Sequence, residues 1–231
     1  MKTIIVTGAT GNLGKAVVHK MLEEGYQVIG IVEPGTTTQE AREDSASEEI
    51  EMDLGDEKAT NEVILSIVKK YPVIDAAILT AGGFAMGDIS STSSNDLLQQ
   101  YQLNFMTAWN IARPVFGQMM QQEKGRIFLV GSRPGLNASF SKGMVAYGLA
   151  KSQLFHLAAL MNGEAAAHKK NVVTSVLVPS TIDTPSNRES MAGAAFNNWV
   201  SPAEIAAVIT FYCSDAADCL REPVIKVYKN A

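Results

Sequence analysis

Tyr147 and Lys151 stand four residues apart in the run Tyr147-Gly-Leu-Ala-Lys151, which puts a phenol and an ammonium on one face of a helix. An unperturbed tyrosine titrates near ~10, too high for easy proton exchange at neutral pH. A fixed cation beside it favours phenolate and makes the ring a workable general acid or base. Such a pair is common on helices and decorative without company. Here Ser132 ends the preceding strand, and Asn104 lies in the long helix before it. A second set of residues suits a phosphate. Gly8-Ala-Thr10-Gly11-Asn12-Leu13-Gly14 follows an apolar run and opens a helix. Glycine there lets backbone approach a pyrophosphate, and the helix start offers N–H groups and positive potential. The same glycines can make a bare turn, but the strand–turn–helix context favours a dinucleotide site.

Two acids fit that site. Glu33 closes the second strand, where a carboxylate accepts from the adenosine ribose 2′-hydroxyl and repels a 2′-phosphate, favouring NAD(H) over NADP(H). It reads equally as a solvated loop acid, and Lys15, in the first turn of the helix, would offset the repulsion if its amine reached the phosphate. Asp53 ends the third strand, placed to accept from the adenine amine or simply to precede the next helix. No metal spacing appears among His19, His156, His168, Cys213 and Cys219. The two cysteines read as packing residues or a bystander pair on one helix.

Holding these groups in place takes alternating strands and helices. Thr3–Thr7 is a β-branched run, Lys15–Glu24 has helical periodicity and stops at Gly25, and Tyr26–Val32 is a second strand. Pro34–Glu49 is polar, a loop with a helical portion. Ile50–Leu54 reads as a short strand, Glu57–Tyr71 as an amphipathic helix and Ile74–Thr80 as a buried strand. Ser91–Asp96 offers N-caps for a helix reaching about Glu123, and Pro114 inside it predicts a kink or break. Gly125–Ser132 is the next strand. A loop with Pro134, Gly135 and Gly143 leads to a helix from about Val145 to Lys170, then a strand over Val172–Val178 stopped by Pro179. Ser201-Pro202-Ala-Glu204 is a capping box opening a helix to about Ser214, and Pro223–Tyr228 is a final strand. The alternation predicts an α/β doubly wound parallel sheet, with 1–231 as one domain.

Composition narrows the class. Apolar residues make up 46% and charged residues 19% of the 231, ordinary for a globular chain and too apolar for a disordered one. A net charge of −5 leaves no electrostatic footprint for nucleic acid. No run approaches the ~20 apolar residues that span a bilayer. The first strand begins within two residues of Met1, which leaves no room for a signal peptide, so the expected location is cytoplasmic.

Taken with Ser132, Asn104, the opening Thr7–Gly14 turn and Pro179-Ser-Thr-Ile182-Asp-Thr184, the Tyr147/Lys151 pair makes nearly the whole chain resemble the short-chain dehydrogenase/reductase family. The resemblance implies a Rossmann sheet of about seven strands with a nicotinamide cofactor at the strand C-termini. It implies that Tyr147 is the acid/base, that Lys151 lowers its pKa and binds the nicotinamide ribose, and that Ser132 holds the substrate oxygen. Asn104 would hold a water in the proton relay, and Thr184 would contact the nicotinamide carboxamide. Gly8 to Gly14, Glu33, Asp53, Leu54, Ala81, Gly82, Pro179, Ile182 and Thr184 would line the cofactor. Two departures stand out: the glycine spacing is more usual in the family's longer members, and Thr80-Ala81-Gly82 replaces the usual Asn-Ala-Gly.

Ala81-Gly-Gly-Phe84 and Asp183–Met191, followed by Trp199, resemble the dihydropteridine reductase branch, which lacks the serine that Ser132 supplies here. Ser132 and Tyr147 make a two-donor cradle for a carbonyl oxygen, so a small carbonyl is the expected substrate and a pterin-like ring the alternative. A cofactor-binding redox sensor without turnover is a third reading, disfavoured by the intact Tyr147/Lys151 pair. Phe84, Met86, Met144, Met191, Phe196 and Trp199 would form an apolar mouth, the last two on a mobile lid. The resemblance also raises the prior for a homodimer or homotetramer, through Met119, Met120 and the helices around 92–122 and 145–168.

Overall fold

In the computed structural model, residues 1–36 and 46–229 are described; part of the expected Pro34–Glu49 loop, at 37–45, lies outside them. Seven strands form one sheet in the order β3-β2-β1-β4-β5-β6-β7, every neighbouring pair parallel. They are β1 (Thr3–Thr7), β2 (Gln27–Val32), β3 (Ser47–Glu51), β4 (Ala76–Leu79), β5 (Lys124–Val130), β6 (Asn171–Pro179) and β7 (Val224–Val227). Parallel strands are covered on both faces and so read as continuous apolar runs. β1 and β2 are buried at every residue. Alternate residues of β1 feed opposite layers. Ile5 faces the layer of α2 (Glu57–Lys70), α4 (Thr107–Gln121) and α6 (Val145–Ala167). Ile4 and Val6 face the layer of α1 (Asn12–Glu23) and α8 (Pro202–Cys213). The chain reverses its direction of winding between β1 and β4, and there a doubly wound sheet leaves a crevice at its C-terminal edge.

Four expectations are corrected. β3 sits three residues earlier than Ile50–Leu54, because Asp53 begins a tight turn, accepting from Gly55 N at 2.8 Å, and Asp56 caps α2. The long helix does not break at Pro114, which lies inside a continuous α4. The interruption comes earlier: α3 (Ser94–Tyr101), opened by a Ser93/Asp96 capping box, passes into a π-helical turn over Gln102–Met106 before α4 begins. Met119 is fully buried in the core and is unavailable to a partner. Cys213 is the buried last residue of α8, whereas exposed Cys219 lies beyond the helix, so the two do not share one. The Ser201/Glu204 box opens α8 as its spacing predicts.

No helix among the described residues is long and apolar enough to cross a membrane. Nor does any group of three or more His, Cys, Asp or Glu residues among them suit a metal ion.

Candidate active site

A cleft of about 440 Å³ runs across the C-terminal ends of β1 to β4. Its phosphate end is the turn after β1. Gly8 has φ +61°, and a Cβ on Gly14 would fall 2.0 Å from the Gly8 carbonyl oxygen. Helix α1 can press against the turn only because both residues are glycine. Gly11 is the N-cap of α1 and supplies no side chain, so the first N–H groups of the helix are left without a side-chain cap. Thr10, Asn12 and Leu13 line the same end. This bare, electropositive turn fits a pyrophosphate.

Toward one end, Glu33 just after β2 and Asp53 and Leu54 after β3 line the cleft. Lys15 is exposed on α1 and does not line it. At the other end stand Ala81 and Gly82, after β4. Thr80, in the place of the usual asparagine, straps β4 to β1: its hydroxyl donates to Thr7 O at 2.6 Å, and Ala81 N donates back to the Thr7 hydroxyl at 3.3 Å.

Asn104, Ser132, Tyr147 and Lys151 lie outside the lining of this cleft and gather beyond its Gly82 end. A Cβ on Gly82, where φ is +157°, would come 2.7 Å from Asn104 Oδ1 and 3.2 Å from Lys151 Nζ. Asn104, on the π-helical turn, is 1% exposed and its amide is committed to the protein. Oδ1 accepts from Gly83 N at 3.1 Å, while Nδ2 donates to the carbonyl and side-chain oxygens of Gln100 at 3.2 and 3.0 Å. Its side chain therefore clamps the β4 loop, which leaves little of the amide to hold a water. Ser132 lies two residues past the end of β5 and caps α5 (Arg133–Leu136), accepting from Gly135 N at 3.2 Å. Its hydroxyl also stands beside the Tyr147 phenol and favours the ionised form.

The electrostatics differ from the simple expectation of a cation lowering the tyrosine pKa. Burial pushes the Tyr147 phenol above its ordinary value, and the neighbouring Ser132 hydroxyl offsets part of that rise. Lys151 Nζ lies 5.9 Å from the Tyr147 ring centroid and donates to Val130 O at 2.8 Å. Burial lowers its own pKa from 10.5 to about 8. At neutral pH the tyrosine is thus a protonated donor above a buried, mostly charged amine.

Pro179, Ile182 and Thr184 do not line the cleft: Pro179 ends β6, beside β5, and the other two follow it. Their loop is well tied. Thr184 caps α7 (Pro185–Ser190), Asn187 Nδ2 donates to Ile182 O at 2.8 Å, and Arg188 meets Asp183 with two bonds of 2.5 and 2.7 Å. Ile182 bridges Val200, and Trp199 is 6% exposed with Phe196 edge-on to it at 4.8 Å. Trp199 is therefore an anchor in the core and does not face a mouth. Exposed apolar groups near Tyr147 come instead from Phe84, edge-on to the Tyr147 ring at 5.1 Å, and from Met86 on the same loop.

Leu103 and Thr107 also line the cleft, and sequence reasoning missed them. Their four-residue spacing is a signal only once the helix is known to face the sheet edge.

A family model for short chain dehydrogenase matches residues 2–195. The chain belongs to the short-chain dehydrogenase/reductase family. It is 25% identical over 229 residues to acetoacetyl-CoA reductase of Acinetobacter sp. (strain RA3849), covering 93% of this chain and 91% of that protein. It is 28% identical over 209 residues to dihydropteridine reductase of Dictyostelium discoideum, covering 89% and 84%. Among solved structures, ElxO with NADP bound superposes with a TM-score of 0.89 at 18% identity, over 98% of this chain and 96% of that one, a likeness of fold. As a member of this family the chain is an NAD(P)-dependent oxidoreductase.

The buried amine makes a stability prediction. Below about pH 8 Lys151 is charged in both folded and unfolded chains, so the cost of burying the charge is fully present. Between about 8 and 10.5 the folded chain sheds the proton first, and this group's contribution makes stability rise with pH. Lys151→Met should therefore be more stable than the parent at pH 7, on the order of 1–3 kcal/mol after the lost Val130 bond is allowed for. In urea unfolding that gap should narrow between pH 8 and 10. A variant less stable at pH 7, or a gap that ignores pH, contradicts this reading.

Proposed function

We propose that this reductase acts on a small carbonyl compound, with Tyr147 as proton donor and Ser132 as the second donor to the substrate oxygen. The observation that carries the reading is that the Ser132 hydroxyl stands beside the Tyr147 phenol, close enough to offset part of the rise that burial imposes on it. Two donors that meet at one point suit a single oxygen that gains negative charge as it is reduced. The bound cofactor supplies the hydride. Gly8 to Gly14 would hold its pyrophosphate and Asp53 and Leu54 its adenine, while Ala81, Gly82, Pro179, Ile182 and Thr184 would hold the nicotinamide half. Lys151 would hold the nicotinamide ribose and keep positive potential under Tyr147 as the phenol gives up its proton.

A second reading, reduction of a quinonoid pterin, is favoured by Phe84. Its ring is 58% exposed and stands edge-on to Tyr147, an aromatic wall for a flat heterocycle. The Dictyostelium relative points the same way. Such a ring spreads charge over its nitrogens and needs no two-donor cradle. Steady-state kinetics on a ketone panel and on quinonoid dihydropterin, for the parent and Ser132→Ala, separate the two. The carbonyl reading expects a ketone as best substrate and a loss of ~10²-fold in kcat for Ser132→Ala. A pterin as best substrate, with Ser132→Ala unchanged, contradicts it.

For the cofactor, Glu33 lining the cleft favours NADH. Contact between its carboxylate and a 2′-phosphate costs on the order of 1–3 kcal/mol, so NADH should bind ~10–100-fold tighter than NADPH in parallel titrations. Equal affinities would show that Glu33 stays in solvent.

The exposed Leu97, Leu98 and Tyr101 of α3 and Leu149 and Leu160 of α6 support a homodimer or homotetramer assembled through these helices, in a cytoplasmic enzyme. Sedimentation should show a dimer or larger, shifted toward monomer by Leu98→Glu. A monomeric parent would refute the assembly.

A further inference from the structure

We propose that Asn110 is a positioning residue for the cofactor, setting the adenine end of the cleft by holding the loop after β3 from α4. The proposal rests on reading the cleft as the dinucleotide site. The buried side of α4 is otherwise apolar over Ala108, Ile111, Ala112 and Val115, yet Asn110 is only 2% exposed among them. Its Nδ2 donates to Leu54 O at 2.8 Å. Its Oδ1 is buried and has no hydrogen-bond partner among the described residues. A buried acceptor without a partner destabilises the fold, and an aliphatic side chain of similar volume would avoid that cost. The amide's one useful bond goes to the loop whose residues Met52, Asp53, Leu54 and Gly55 line the cleft.

Elsewhere the loop is tied by Met52 N, which donates to Val32 O at 2.9 Å, and by Asp56 N, which donates to Asp53 O at 3.2 Å. Asp53 Oδ1 accepts from Gly55 N at 2.8 Å, a bond internal to the turn, and Thr60 reaches Asp53 O at 3.4 Å. The Leu54 carbonyl is fixed by Asn110. Leu103 and Thr107 line the cleft from the same helical rod, and Asn110 continues their stripe three residues beyond Thr107. One rod thus holds two loops of the crevice: Asn104 holds Gly83 beyond the Gly82 end, and Asn110 holds Leu54 at the opposite end.

The test uses Asn110→Leu, which fills the space without a donor, and Asn110→Ala as a second variant. Dissociation constants for NADH are read by fluorescence, and those for 5′-AMP by competition, beside thermal melts and kinetics at saturating cofactor. Loss of the bond should weaken NADH and AMP roughly three- to tenfold, the worth of one hydrogen bond. Substrate KM and kcat at saturation should stay within about twofold, and Asn110→Leu should melt no lower than the parent. Unchanged AMP affinity in either folded variant overturns the proposal and leaves Asn110 a packing residue. A parent chain that binds neither NADH nor AMP overturns the cleft reading, and the proposal with it.

Discussion

The ammonium of Lys151 is buried 5% exposed against the sheet, donating to Val130 O at 2.8 Å beneath the ring of Tyr147. Charge in so enclosed a place is costly, and the surrounding structure is shaped by accommodating it. Helix α6 must press against α5, and it does so because Gly135 has no side chain; a Cβ there would sit 2.7 Å from Lys151 Cβ. Gly82 is likewise bare where a Cβ would approach the amine to 3.2 Å. With α6 fixed in this way, Tyr147 one turn earlier is carried to Ser132, the N-cap of α5. Tyr147, Ser132 and Lys151 thus share one anchoring point at the C-terminal edge of the sheet.

From that point the crevice follows from winding alone. The sheet parts its connections between β1 and β4, so the turn after β1 and the loop after β4 flank a common opening. The bonds from the Thr80 hydroxyl to Thr7 O and from Ala81 N to the Thr7 hydroxyl tie these two strand ends together. Leu103 of the π turn and Thr107 of α4 line the crevice from the side.

Much of this architecture was legible in the sequence for definite reasons. Strands buried on both faces appear as Val/Ile runs, and helix starts are marked where a side chain must cap, as at Ser201. β3 was misplaced because it is an edge strand with polar residues and little apolar pattern. The π turn was invisible because no residue type marks it, whereas Pro114 marks a break that the helix does not make. At the site, the glycine turn and the Tyr147/Lys151 spacing are local patterns and could be read directly. The direction of the Tyr147 pKa could not, since spacing reports proximity and burial is a property of the fold. Asn110 escaped notice because its partner, Leu54, is 56 residues away.

The central claim is that Tyr147 delivers the proton while the cleft holds the cofactor independently of it. Tyr147→Phe removes one hydroxyl and keeps the ring against Phe84. The account predicts that single-turnover reduction slows by at least ~10²-fold while the NADH dissociation constant stays within about twofold. A Tyr147→Phe chain that turns over within a few fold of the parent would contradict it.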